Sequence, residues 1–155
     1  MSDENVAFTE EQALSLTSVL DEIVPRSSDG KLPAAGEIGV IEYVGLALQQ
    51  MPQLQPVILQ GLAALEDVSR RSKEAGFAAL SKRDRLEVLD ELASVDAAFL
   101  PTLTFLTFVG YYRDGRIVTA LGLQPRPPHP GGYELPPNDL SLLEPVRRRS
   151  KMYRE

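Results

Sequence analysis

The chain has one histidine, His129, set between Pro128 and Pro130, and no cysteine. A histidine-based catalytic zinc site takes two or three such ligands, and thiolate sites or cysteine nucleophiles need a sulfur that is missing here. His129 therefore reads as a surface or interface side chain. A Ser-His-Asp system would have to use that same histidine, in a proline-rich stretch poorly suited to preorganised catalysis, and no Gly-x-Ser-x-Gly run is present. Carboxylates occur as adjacent pairs: Glu10-Glu11, Asp21-Glu22, Glu66-Asp67 and Asp90-Glu91. Neighbours on a helix point about 100° apart, so these pairs read as solvated faces rather than acid–base dyads. The glycines at 36 and 39 lack the G-x-G-x-x-G spacing, and no strand precedes them. The residue inventory therefore predicts no catalytic, cofactor-binding or metal-binding residue on this chain. The strongest charge cluster is Arg147, Arg148, Arg149, Lys151 and Arg154. It suits an acidic protein surface, phosphates, or a merely solubilising terminus.

A length of 155 residues fits one domain, and 43% hydrophobic with 25% charged residues is ordinary for a globular chain. The net charge of −6 disfavours nucleic acid as a partner. The uncharged stretch Ala97–Tyr112, with Pro101 inside it, is shorter than the roughly 20 residues needed to span a bilayer, so no direct membrane insertion is expected. The acidic, polar opening shows no export leader. The expected location is the cytoplasm, or the periplasm only where a partner carries the export signal.

The elements that would position these residues are helices. Thr9 and Gln12 form a capping-box pattern ahead of Ala13, Leu16, Leu20 and Ile23, and Pro25 stops that helix near Val24. Leu32–Met51 reads as a second helix, apolar on more than one side, whose glycines are offset by close backbone approach. A third helix carries Pro52 and Pro56 near its start, the stripe Leu54, Ile58, Leu62, Leu65 and Val68, and Gly76 at its end. Ser81 caps a fourth helix with the stripe Leu86, Leu89 and Ala93. The fifth places Phe99, Leu103, Leu106 and Val109 on one side and Phe105, Phe108 and Tyr112 on another, and is expected to be central and touched all round. After a turn at Arg113–Gly115, the run RIVTALG reads as a short extended piece. Seven prolines then follow between residues 125 and 145. The expected fold is all-α: a compact bundle of four to five helices over 1–113, followed by an extended Pro/Gly-rich C-terminal arm, 114–155, with a basic tail, in a single domain unit.

What this chain offers is surface. Helices 2 and 5 are more apolar than a small bundle needs, and extended proline-rich segments gain large contact area when they wrap a partner. The interface candidates are Tyr111, Tyr112, Tyr133, Pro136 and Pro137, since tyrosine anchors are enriched at binding hot spots. Packing of the arm back onto the bundle is the alternative for each.

The runs LDEIVP (20–25), LPAAGEIGVIEYVGLAL (32–48), GFAALSKRDRLEVLDEL (76–92), FLPTLTFLTFVGYY (99–112), Leu121-Gly122 and GGYELPP (131–137) together resemble the gluconate 2-dehydrogenase subunit 3 family. The resemblance implies a non-catalytic small subunit. Its large partner would be a flavoprotein of the glucose–methanol–choline (GMC) type that holds FAD and oxidises a sugar, sugar acid or polyol. Some such complexes add a haem c subunit. The small subunit itself carries no cofactor and supports folding, maturation or export of the flavoprotein. Beside this stand two other readings: a free-standing helical scaffold that self-associates through helix 2, and a small enzyme that uses His129.

Overall fold

The computed structural model describes residues 8–126, 132 and 137–149. Among these, every regular element is helical. They are α1 (Glu10–Ile23), α2 (Val40–Gln50), α3 (Gln55–Lys73), α4 (Lys82–Val95), α5 (Phe99–Tyr112), α6 (Gly115–Ala120) and α7 (Glu144–Arg147). Short 3₁₀ turns lie at Gly36–Ile38, Pro52–Leu54, Phe77–Ala79 and Leu140–Leu143. The chain divides into two compact units, residues 1–125 and 126–155. No single described helix is long and apolar enough to cross a membrane; α4 and α5 reach that length only as a pair bent by 119°.

Local signals set the helix starts. Thr9 Oγ1 accepts from the N–H of Gln12 at 3.2 Å, and Gln12 Oε1 accepts from the N–H of Thr9 at 3.0 Å, closing the expected capping box. Ser81 Oγ accepts from the N–H of Asp84 at 3.2 Å and opens α4. Pro52 and Pro56 fall in the 3₁₀ turn and first turn leading into α3, where a missing N–H costs little.

The long second helix is two pieces. Gly39 adopts φ +78°, a left-handed conformation that separates the 3₁₀ turn at Gly36–Ile38 from α2. Nor does Gly76 end α3. The left-handed terminal residue is Glu74, at φ 59°, whose N–H donates to the carbonyl of Arg70.

The first unit closes around Leu16, Val19 and Leu20 of α1, Val44 and Leu48 of α2, Ile58, Leu62 and Leu65 of α3, Leu92 of α4, and Leu103 and Leu106 of α5. Helix α3 packs on α4 and α5, while α5 also packs on α2 and α1. The α3–α5 crossing is close: a Cβ on Gly61 would run into the ring of Phe99. Helix α4 turns a different face inward from the one expected. Val88 and Leu92 are buried and Leu89 packs beside them, whereas Leu86 and Ala93 are exposed. The inward face also carries Arg85, whose Nη2 donates to the Ala78 carbonyl at 2.7 Å, whose guanidinium lies 5.9 Å from the Phe77 ring centre, and whose Nη1 lies 3.6 Å from Glu22 of α1. Arg85, Val88, Leu89 and Leu92 share one face at helical spacing, and packing against α3 and the Phe77–Ala79 turn selected it over the Leu86 face.

The run after the turn at 113 is helical, not extended. The Asp114 carboxylate accepts from the N–H of Arg116 at 2.8 Å and caps α6. Ile117 inserts fully into the core, so packing continues past the expected boundary at 113. A six-residue helix is too short for periodicity to announce. In the second unit, Asp139 caps the turn at Leu140–Leu143 by accepting from the N–H of Ser141 at 3.0 Å, and α7 follows directly. Residues 140–147 are thus helical where an extended arm was expected; Pro127, Pro128, Pro130 and Pro136 lie outside the described residues.

Candidate functional site

Among the described residues, no group of three or more histidine, cysteine, aspartate or glutamate side chains is placed to hold a metal ion. His129 lies outside them. Of the paired carboxylates, Glu22 meets Arg85, and Glu66 serves the fold: it accepts from Ser15 Oγ and, at 3.4 Å, from the N–H of Phe77, tying α1 and α3 to the turn before α4.

The prominent feature is a surface, and α5 makes it. One side of α5 is core: Phe99, Leu103, Leu106, Thr107, Gly110 and Tyr111. Thr107 is accommodated there because its hydroxyl donates to the Leu103 carbonyl at 2.6 Å. The other side carries Pro101, Phe105, Phe108 and Tyr112, spaced +4, +3 and +4, which stacks them along one stripe. Phe105 is 61% exposed, Phe108 44% and Tyr112 52%. Val109 and Leu46 of α2 widen the stripe with further exposed apolar surface. The helix is therefore central on one side only, and the aromatic side expected to be packed faces solvent.

The stripe is held in shape from beneath. Tyr111 is 1% exposed, and its hydroxyl donates to the Pro33 carbonyl at 2.7 Å. Tyr112 sets its ring edge-on to Tyr111 at 5.2 Å between centres, and Phe108 lies 6.1 Å from Tyr112 at a tilt of 51°. Burial pushes the Tyr111 hydroxyl above its ordinary pKa, with smaller contributions from Tyr112, Glu37 and Asp114. Two shallow grooves flank the stripe. One, of about 620 Å³, lies towards the α4–α5 joint and is lined by Ala97, Leu100, Pro101, Thr104, Phe105 and Phe108 among others. The other, of about 390 Å³, lies towards α2, where Tyr43, Leu46, Gly110 and Arg113 meet.

Of the interface residues expected from sequence, Tyr112 belongs to this stripe. Tyr111 is a core residue: the hydroxyl that would have made it an anchor is used inside the molecule, on Pro33, and the ring has no surface to offer. Pro137 is exposed in the second unit, and Tyr133 and Pro136 lie outside the described residues. Sequence reasoning placed Phe105 and Phe108 on their common side but assigned that side to the interior. The apolar excess of α5 was legible as more than a small bundle needs; which side of the helix would stay uncovered was not.

The family model for gluconate 2-dehydrogenase subunit 3 matches residues 10–126. This chain belongs to that family. The matched span takes in α1 to α6 with the whole α5 stripe, and it ends at Arg126, next to the end of the first compact unit at Pro125. Neither a curated protein nor a solved structure matches the chain. Gluconate 2-dehydrogenase subunit 3 is by description one subunit of a dehydrogenase, which implies a partner dehydrogenase complex.

Proposed function

We propose that this member of the gluconate 2-dehydrogenase subunit 3 family is a non-catalytic small subunit that binds, stabilises and matures a GMC-type large subunit. That partner holds FAD and oxidises a sugar, sugar acid or polyol; where a haem c subunit is present, it takes the electrons onward. The observation that carries this reading is the α5 stripe, with Phe105, Phe108 and Tyr112 in line and exposed inside the family-matched span. Soluble proteins seldom leave aromatic rings contiguous on the surface without a use for them, and aromatic rings concentrate binding energy. Burying the stripe gains apolar area for both chains, so the large subunit's folded state is favoured by mass action when this chain is present. The complex works in the cytoplasm, or in the periplasm where the large subunit supplies the export signal.

The test is expression of the large subunit with and without this chain. The expected result is a large subunit that is soluble and FAD-loaded only in co-expression. A large subunit that is soluble, flavin-saturated and fully active alone would overturn the proposal. Light scattering on the isolated small subunit distinguishes it from a self-associating scaffold, which would form a stable homomer with α5 protected.

A further inference from the structure

Arg113 ends α5 with its guanidinium 5.0 Å from the ring centre of Tyr43, on α2. The other arginines of the first unit (Arg26, Arg70, Arg71, Arg83, Arg85 and Arg116) each reach a carboxylate. Arg113 makes no ion pair among the described residues. It sits beside the apolar stripe, at the rim of the groove shared with Tyr43, Leu46 and Gly110. Gly110 makes the platform possible: a Cβ there would come within 2.6 Å of Tyr43 Cδ1, so only glycine lets the Tyr43 ring lie against α5.

Resting on the subunit reading above, we infer that this end of α5 is the docking site for an acidic-aliphatic segment of the large subunit. An Asp or Glu carboxylate meets Arg113, and neighbouring apolar side chains fill the groove beside Leu46 and Tyr112. A guanidinium held over an aromatic ring can still offer N–H donors to a carboxylate, and the ring contact lowers the entropy cost of fixing it. Two carboxylates face this arginine from the elements around it. Asp114 is engaged by Arg116, at 2.7 and 2.9 Å. Glu42 lies in the first turn of α2, where the helix N-terminus favours a negative charge. Neither closes on Arg113. A phosphate headgroup would also suit a guanidinium, but anionic membranes recruit clusters of about 4–8 basic residues. Among the residues that line this groove Arg113 is the one cation, beside Glu42 and Asp114, which is the opposite arrangement.

Binding is measured on the co-expressed complex, by displacement of its labelled small subunit with added wild-type or variant chain, at about 50 and 300 mM salt, concentrations chosen to vary screening. Arg113→Gln is expected to weaken binding about tenfold or more and to flatten its salt dependence. Arg113→Lys, which keeps the charge but loses the planar two-pronged donor, falls between. Arg83→Gln makes the same charge change at a residue with an internal partner, and stays at the wild-type value. Phe105→Ser separates the two levels of the argument. If Phe105→Ser abolishes binding while Arg113→Gln stays within twofold of wild type, the acidic anchor is wrong and the subunit reading stands. If neither substitution changes binding, both fall. If Arg113→Gln leaves partner affinity intact but removes binding to phosphatidylglycerol-containing vesicles, or breaks up a homomer, the site serves a membrane or a second copy and the inference is overturned.

Discussion

Replacing Phe105 and Phe108 together by serine removes the centre of the α5 stripe without touching the core. At 61% and 44% exposed, the two rings keep on the order of 200 Å² of apolar surface in water, taking about 200 Å² for a whole phenylalanine side chain. Burial of that area at ~25 cal/mol per Å² is worth about 5 kcal/mol as an upper bound. Side-chain ordering and imperfect fit reduce this, so about 2–4 kcal/mol should reach the affinity, a loss of roughly 30- to 1,000-fold in Kd. The isolated chain should fold as before, within about 0.5 kcal/mol, because exposed substitutions away from special features cost little. The assay pairs displacement of the labelled small subunit from the co-expressed complex with urea unfolding of the small subunit alone. Affinity unchanged within about twofold would refute the stripe as the contact. Destabilisation of the lone chain by more than about 2 kcal/mol would show that the rings pack internally.

Four further outcomes follow from the packing. Gly61→Ala should destabilise the first unit by about 1–3 kcal/mol in chemical unfolding, since the added methyl must displace the Phe99 ring; an unchanged midpoint would mean that α3 and α5 can separate freely. Tyr111→Phe should cost about 1–2 kcal/mol by leaving the Pro33 carbonyl without its donor, and a neutral result would show that water replaces the hydroxyl. The Asp114 carboxyl is held at about 2 against an ordinary 3.8, chiefly by its side-chain hydrogen bonds from Arg116. A depressed pKa gives stability that is present above 3.8 and lost as pH falls towards 2, so Asp114→Asn should lower thermal stability at neutral pH, flatten its dependence on pH in that window and make little difference at the acid end. Tyr111 has the opposite sign: its pKa is raised above 10.0, so its contribution is present below that value and disappears as alkali ionises the ring, and Tyr111→Phe should remove that alkaline limb.

Much of the helical layout was legible because its determinants are local. Thr9 with Gln12, and Ser81 with Asp84, act across three residues, and Pro52 and Pro56 are tolerated only at a helix start. The misreadings arose where two local options were nearly equal. Leu86-Leu89-Ala93 and Arg85-Val88-Leu92 both satisfy helical spacing on α4, and Arg85 is easily taken for a surface residue although it bridges the Ala78 carbonyl and Glu22. Gly39 and Gly76 could each have ended or broken a helix, and only the backbone shows that Gly39 did while Glu74 took the other role.

The amino-acid order determined that α5 would be a helix apolar on every side, and that its rings would fall into two rows. Which row became interior was decided by the tertiary fold. Gly61 and Gly110 admit close neighbours on one side of α5, Pro33 supplies an acceptor that draws Tyr111 inward, and among the described residues of the first unit none is left to cover Phe105 and Phe108. Hydrophobic periodicity specifies which residues share a face; only the number and placement of the other helices specify whether that face meets protein or water.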